Sequence, residues 1–203
     1  MKDITYSIKF YSQWHCGSGE SQGADLDALV IKDRQGLPYV PGKTVKGLVR
    51  DSFLELDIIG YFDHKGKENE IFGCGYDYKQ KPKADDGKKE PGIINQSRLY
   101  FSNAVLKSIV KDEIEKASLI PFLFNKVTRT SIDEKGVANE MSLRSMEVTV
   151  PVDLTGKILN VEDQYVDSII DAMKFIKRLG SGRNRGLGRC SFEVLNISEG
   201  RTI

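Results

Sequence analysis

Gly180-Ser181-Gly182-Arg183-Asn184-Arg185-Gly186-Leu187-Gly188-Arg189 stands between a helical pattern and a strand pattern near the end of the chain. That order decides the fold class. A dinucleotide fingerprint needs a strand, then G-x-G-x-x-G, then a helix. Here the helix comes first, and three residues separate Gly182 from Gly186, so a Rossmann reading fails. Upstream, Val161, Tyr165, Val166, Ile169, Ile170, Met173 and Ile176 sit three and four apart, which predicts a helix over 161–179. Downstream, Cys190, Phe192 and Val194 alternate, which predicts a strand over 189–197.

The same reading runs back to the N-terminus. Ile4, Tyr6, Ile8 and Phe10 alternate with Thr5, Ser7 and Lys9 as a half-buried strand. Apolar runs at 28–31 and 37–40 flank Asp33-Arg34-Gln35-Gly36 and predict a hairpin. A helix follows, with Thr44 as its cap and Val45, Leu48, Val49, Phe53 and Leu56 on one stripe. Residues 63–92 are polar apart from Ile71, Phe72 and two tyrosines, and read as a mobile loop. A strand is expected over 97–105. Met146, Val148 and Val150 form another, continued or paired by 152–160 after Pro151. Between them, 106–143 reads as an insertion, with a charged helical piece at 110–117 and a strand-turn-strand centred on Asp133-Glu134-Lys135-Gly136. Without insertions the order is strand, helix, strand, strand, helix, strand. This predicts one α+β domain over 1–203 with a ferredoxin-like (RRM-like) β-α-β-β-α-β core, both helices on one sheet face and the other face free.

Composition narrows the function classes. Thirty Lys and Arg against 29 Asp and Glu give a net charge of +1, so nucleic-acid binding has to come from local clustering. No run of eighteen apolar residues and no signal-peptide pattern is present, so a cytoplasmic chain with no membrane partner is expected. Cys16, Cys74 and Cys190 are odd in number and lack C-x-x-C spacing, which argues against a disulfide framework or a zinc knuckle.

Three places hold candidate chemistry. In the glycine loop, Lys177, Arg178, Arg183, Arg185 and Arg189, with no acidic residue between them, fit a phosphate cradle; the alternative is a flexible turn with Gly180 as helix cap. Pro41-Gly42-Lys43-Thr44 imitates the end of a Walker A motif, but five residues separate Gly36 from Gly42 where four are required. What remains is a helix start at which backbone N–H groups, Lys43 and Lys46 can hold a phosphate, or simple capping. The third cluster is Trp14-His15-Cys16-Gly17 with Asp25, Asp27 and Asp33 beyond it. A carboxylate metal site is conceivable there, although no H-x-x-x-H or D-x-D-x-D-G spacing supports a tight one.

Three runs then resemble a known family: Trp14 to Gly19, Leu26 to Asp33, and Leu37-Pro38-Tyr39-Val40-Pro41-Gly42-Lys43-Thr44-Val45-Lys46-Gly47-Leu48-Val49-Arg50. Together they look like the RAMP superfamily of CRISPR-associated proteins, and the chain resembles the backbone subunits of type III effectors. Ile71-Phe72-Gly73, Arg98 to Ala104 and the segment 127–147 extend the match over nearly the whole chain. Lys43 and Thr44 depart from the family's Ser-Ser, Ser131-Ile132-Asp133-Glu134 lacks its Arg after Asp, and 63–92 has no counterpart.

The resemblance implies a protomer that stacks head to tail with other effector subunits or copies of itself along guide RNA. The insertion 106–143 would be a thumb that crosses the guide-target duplex, and the protein would contact backbone while the guide reads sequence. Asp27 matches the family's Asp that cuts target RNA with a transiently bound divalent metal, Mg or Mn. His15, Gly42, Lys43, Thr44, Lys46, Arg50, Arg129, Gly182, Arg183, Arg185 and Arg189 are the expected RNA contacts. Two alternatives stay open: a non-catalytic structural subunit, and a metal-independent guide-processing RNase with His15 as base.

Overall fold

The computed structural model describes residues 1–23, 25–62, 67–73 and 97–200. In chain order the elements are β1 (Lys2–Phe10), α1 (Gly42–Ile58), α2 (Glu68–Phe72), β2 (Tyr100–Phe101), β3 (Val105–Leu106), α3 (Ser108–Lys116), β4 (Phe124–Arg129), β5 (Arg144–Thr149), β6 (Asp153–Val161), α4 (Val166–Phe175) and β7 (Cys190–Glu199). They make a mixed α/β architecture with antiparallel sheets, as the sequence predicts. β1 lies at the centre of the main sheet, paired antiparallel with β6 on one side and β7 on the other. Both β2 and β3 pair with β6, so the strand order is β2/β3, β6, β1, β7.

Strict alternation in β1 puts Ile4, Tyr6, Ile8 and Phe10 on one face, all buried. Against that face α1 places Val45, Val49, Phe53 and Leu56, and α4 places Ile169, Ala172 and Met173. Truncating any of the large buried side chains to alanine removes about 2–5 kcal/mol.

Several elements differ from their sequence reading. The apolar stripe at 161–179 is split among three conformations: Val161 ends β6, Asp163–Tyr165 form a 3₁₀ turn, and the helix covers only Val166–Phe175. Ile176 is extended, with ψ 119°, and Arg178 bridges Arg189. All parts of the stripe are buried or, at Ile170, half-buried against one core, so periodicity alone overstates the helix. The strand over 97–105 is broken in two, since Ala104 turns away to bridge Val40. The strand at 146–150 neither continues nor pairs with 152–160: β5 pairs with β4 in a second, two-stranded sheet. The hairpin that begins within 106–143 therefore extends through β5, beyond residue 143. The turn at 33–36 forms, with Asp33 Oδ1 accepting from the Gln35 and Leu37 N–H groups, but its flanks are isolated bridges. Within the polar stretch 63–92, α2 buries Ile71 and Phe72; residues 63–66 and 74–92 lie outside the described residues.

Candidate nucleic-acid interface

The chain leaving β1 is stitched to the base of the β4–β5 hairpin. Trp14 is fully buried, stacks on Phe10 at 4.5 Å and donates its indole N–H to Val150 O at 3.2 Å. Its backbone exchanges hydrogen bonds with Thr149, at 3.0 and 2.7 Å. His15 follows, only 3% exposed, with Nδ1 2.6 Å from Glu147 O. A carbonyl only accepts, so Nδ1 carries the proton. The histidine expected on the RNA is thus an internal brace.

Residues 27–30 then run parallel beside β5, with Ala28 in an isolated bridge to Met146. Asp27 N–H donates to Ser145 O at 2.8 Å, and Ser145 N–H donates to Asp27 Oδ2 at 2.7 Å. Below it the Glu147 carboxylate accepts from Val30 N–H at 3.0 Å and from Lys32 Nζ at 2.7 Å. These bonds hold the Asp27 side chain in place while leaving it 47% exposed.

The glycine and arginine loop is anchored to the same segment. Ser181 N–H donates to His15 O and Gly188 N–H to Gln13 O, each at 2.8 Å. Gly180 and Gly188 have φ of +91° and +71°, and a Cβ on either would collide with a backbone carbonyl, of His15 and Leu179 respectively. These two glycines serve close packing within the protein. Gly182 and Gly186, both left-handed, flank a 3₁₀ turn, Arg183–Arg185, whose two arginines are exposed. Arg178 Nη1 donates to Arg183 O at 2.6 Å, and the Arg189 guanidinium stands 6.0 Å from the Tyr11 ring.

At the start of α1 the cap is not Thr44. Pro41 takes the N-cap position, Thr44 N–H and Val45 N–H donate to Pro41 O, and Asn103 Oδ1 accepts from Gly42 N–H at 2.9 Å. Gly42 is buried, and a Cβ there would collide with Phe101 O, so Gly42 lets the helix end seat on the sheet edge. Lys43, Lys46 and Arg50 lie along one side of α1; no acidic partner among the described residues pairs with them, and Arg50 Nη2 donates to Asn69 Oδ1. Partial burial and the neighbouring Arg50 push the Lys46 ammonium below its ordinary pKa. Thr44 and Lys43 approach Cys16, whose thiol is pushed up by burial.

Between the hairpin and the loop lies an open cleft of ≈ 410 Å³, lined by Asp27, Arg129, Arg144, Ser145 and Arg185 among others. Arg144, which sequence reasoning missed, stands 3.9 Å from Asp27 Oδ1 and directly opposite Arg129 across β4–β5. Counting outward from the turn, where Asp133 N–H donates to Val137 O, pairs Arg129 with Met141. A second turn at 139–142, with Met141 at φ 54°, slips the ladder and brings Arg144 there instead. The donor set does not fit a resident divalent ion. Among the described residues Asp27 is the one carboxylate in the cleft lining, its Oδ2 is already an acceptor, and Arg129, Arg144 and Arg185 line the same cleft. Among the described residues no group of three or more His, Cys, Asp or Glu converges.

The family model of the RAMP superfamily matches residues 7–191. The chain belongs to the RAMP superfamily. Its fold is similar to that of a chain in the cryo-EM structure of the type III-B Cmr-beta complex bound to cognate target RNA, with TM-score 0.63 and 14% identity over 95% of this chain and 96% of that one. It is equally similar to a chain of the apo Cmr-beta complex, with TM-score 0.62 and 13% identity over 95% and 97%. No curated protein matches in sequence. The RAMP match takes in the end of β1, the Asp27 segment, α1, the hairpin and the glycine loop, so every wall of the cleft lies inside it.

Proposed function

We propose that this RAMP protein is a guide-RNA-binding backbone subunit of a type III CRISPR effector, built on a ferredoxin-like core, and that it cuts complementary target RNA beside Asp27. One observation carries the reading: a half-exposed carboxylate is pinned by Ser145 at the mouth of a cleft walled by Arg129, Arg144 and Arg185. The sheet order, with α1 following β1 and α4 following β6, supports the split β-α-β core. The cations of α1 and of the 183–185 turn supply sequence-independent phosphate contacts.

In the cleft, Asp27 accepts the proton of a ribose 2′-OH. The 2′ oxygen attacks the adjacent phosphorus in line, the bond to the 5′ oxygen breaks, and that oxygen takes a proton from water. This leaves a 2′,3′-cyclic phosphate and a 5′-hydroxyl. Arginine donors meet the charge that develops on the phosphate. No step is assigned to a metal. The burial of His15 and its bond to Glu147 O speak against a guide-processing RNase that uses His15 as base. The bond from Ser145 N–H gives Asp27 a structural duty too, and so favours the non-catalytic subunit as the second reading.

Guide RNA, target RNA and neighbouring effector subunits or copies of this chain are the proposed partners, in the cytoplasm. Among the described residues no helix is long and apolar enough to cross a membrane. Co-purification with the products of its genomic neighbours, followed by sequencing of the bound RNA, tests the class: guide RNA is the expected content, and an RNA-free assembly contradicts it. Arg183→Ala with Arg185→Ala lowers the salt slope of RNA binding by about 0.7 for each single-strand phosphate that is no longer neutralised, with the fold intact by circular dichroism.

A further inference from the structure

Two arginines face each other across the hairpin. Arg129 and Arg144 are cross-strand partners, so their side chains share one face, and like charges directly opposite destabilise a strand pair unless something lies between them. Arg185 closes the same cleft from the glycine loop. The Arg129 guanidinium lies against the face of Gly182 where a side chain would be, 3.2 Å from the position of a Cβ. Neither Arg129 nor Arg185 has an acidic partner among the described residues, and Arg144 has only the loose approach to Asp27. Three arginines therefore line one cleft with a single carboxylate among the described residues, in a space of ≈ 410 Å³ also lined by Thr130, Ser131, Ser142 and Ser145. A metal cation is repelled from such a place, and a dianionic or bridging phosphate is drawn to it.

We propose that Arg129, Arg144 and Arg185 form a phosphodiester-binding subsite beside Asp27, filled by RNA without any metal ion. The proposal rests on the RNA-binding reading above and adds the position of one phosphate, the assignment of Arg144, and the order of events. The guanidinium groups, not a protein-held cation, neutralise the bound phosphate. The Asp27 carboxylate opposes the phosphate electrostatically, so it weakens binding while it serves chemistry.

The test uses the full chain, a short fluorescein-labelled oligouridine containing 2′-deoxy sugars, and EDTA throughout. Arg144→Gln, and separately Arg129→Gln, should each weaken binding about tenfold or more, the effect of removing one charge-assisted hydrogen bond. Each should also reduce the salt slope by about 0.7. Asp27→Asn keeps an acceptor for Ser145 N–H and should tighten binding in EDTA. Titration of the RNA-free chain with Mn²⁺, in a separate EDTA-free buffer, should show no site that Asp27→Asn abolishes. Wild-type binding that survives both arginine substitutions unchanged overturns the subsite but not the RNA-binding reading. Failure of the wild-type chain to bind any oligouridine overturns both. An Mn²⁺ site abolished by Asp27→Asn, or weaker RNA binding by Asp27→Asn in EDTA, overturns the proposed order. Thermal melts of each variant within a few degrees of wild type exclude unfolding as the cause.

Discussion

Glu147 is the residue whose removal tests the architecture of the site most severely. Its side chain is 11% exposed, and it accepts from the Val30 N–H at 3.0 Å and from Lys32 Nζ at 2.7 Å. Glu147→Ala leaves the buried Val30 N–H without an acceptor, which costs about 1–3 kcal/mol. The ion pair adds less, because Lys32 is 32% exposed and solvent screens it; about 0–1 kcal/mol is appropriate. The sum is about 1–4 kcal/mol. Glu147→Gln keeps an oxygen for Val30 and loses only the charge, so about 1 kcal/mol or less is expected. Urea denaturation with both variants reads the difference as a shift in midpoint at constant m. The two variants unfolding alike, or Glu147→Ala within about 0.5 kcal/mol of wild type, would refute the argument that this carboxylate holds the Asp27 strand to the hairpin.

Three further outcomes follow from packing and burial. Gly180→Ala, which meets both φ +91° and the His15 carbonyl, should destabilise more than Gly186→Ala, at φ +86° with open space around it. The second carries only the left-handed cost of about 1–2 kcal/mol, and equal melting temperatures would contradict the close approach. Asn103→Ala should lose about 1 kcal/mol, as a cap does, with no comparable loss from Thr44→Ala; chemical denaturation of the two variants compares them. Burial pushes the Cys190 thiol from an ordinary value near 9 up to about 12, and pushes the Tyr6 phenol up as well. The folded state therefore holds protons that the unfolded state releases. Stability is fully present below pH ~9 and falls as pH rises toward ~12; a flat unfolding profile across that window would contradict the assignment.

Local patterns were legible where one periodicity served one element. β1, α1 and β7 could be read from alternation and helical spacing, and Pro41-Gly42 did mark a helix start. The cap of α1 was not legible, since Asn103 is far away in sequence. Nor was the end of α4, because residues 161–179 stay apolar while passing from strand to turn to helix to extended chain. Asp27 could be singled out beside the glycines after β1, but its neighbours could not: Arg144 arrives through a register slip, which depends on a positive φ at Met141. His15 reads as an RNA contact, yet its Nδ1 is used on Glu147 O. A polar residue in a glycine-rich loop looks the same in sequence whether it faces solvent or braces a turn.

Asp27 is proposed to act on RNA held beside it. Purified effector carrying wild-type or Asp27→Ala chain, given labelled complementary RNA, is the direct measurement. Retained target binding with cleavage abolished is the expected result. Cleavage that continues unchanged with Asp27→Ala would show that Asp27 is not the acting carboxylate.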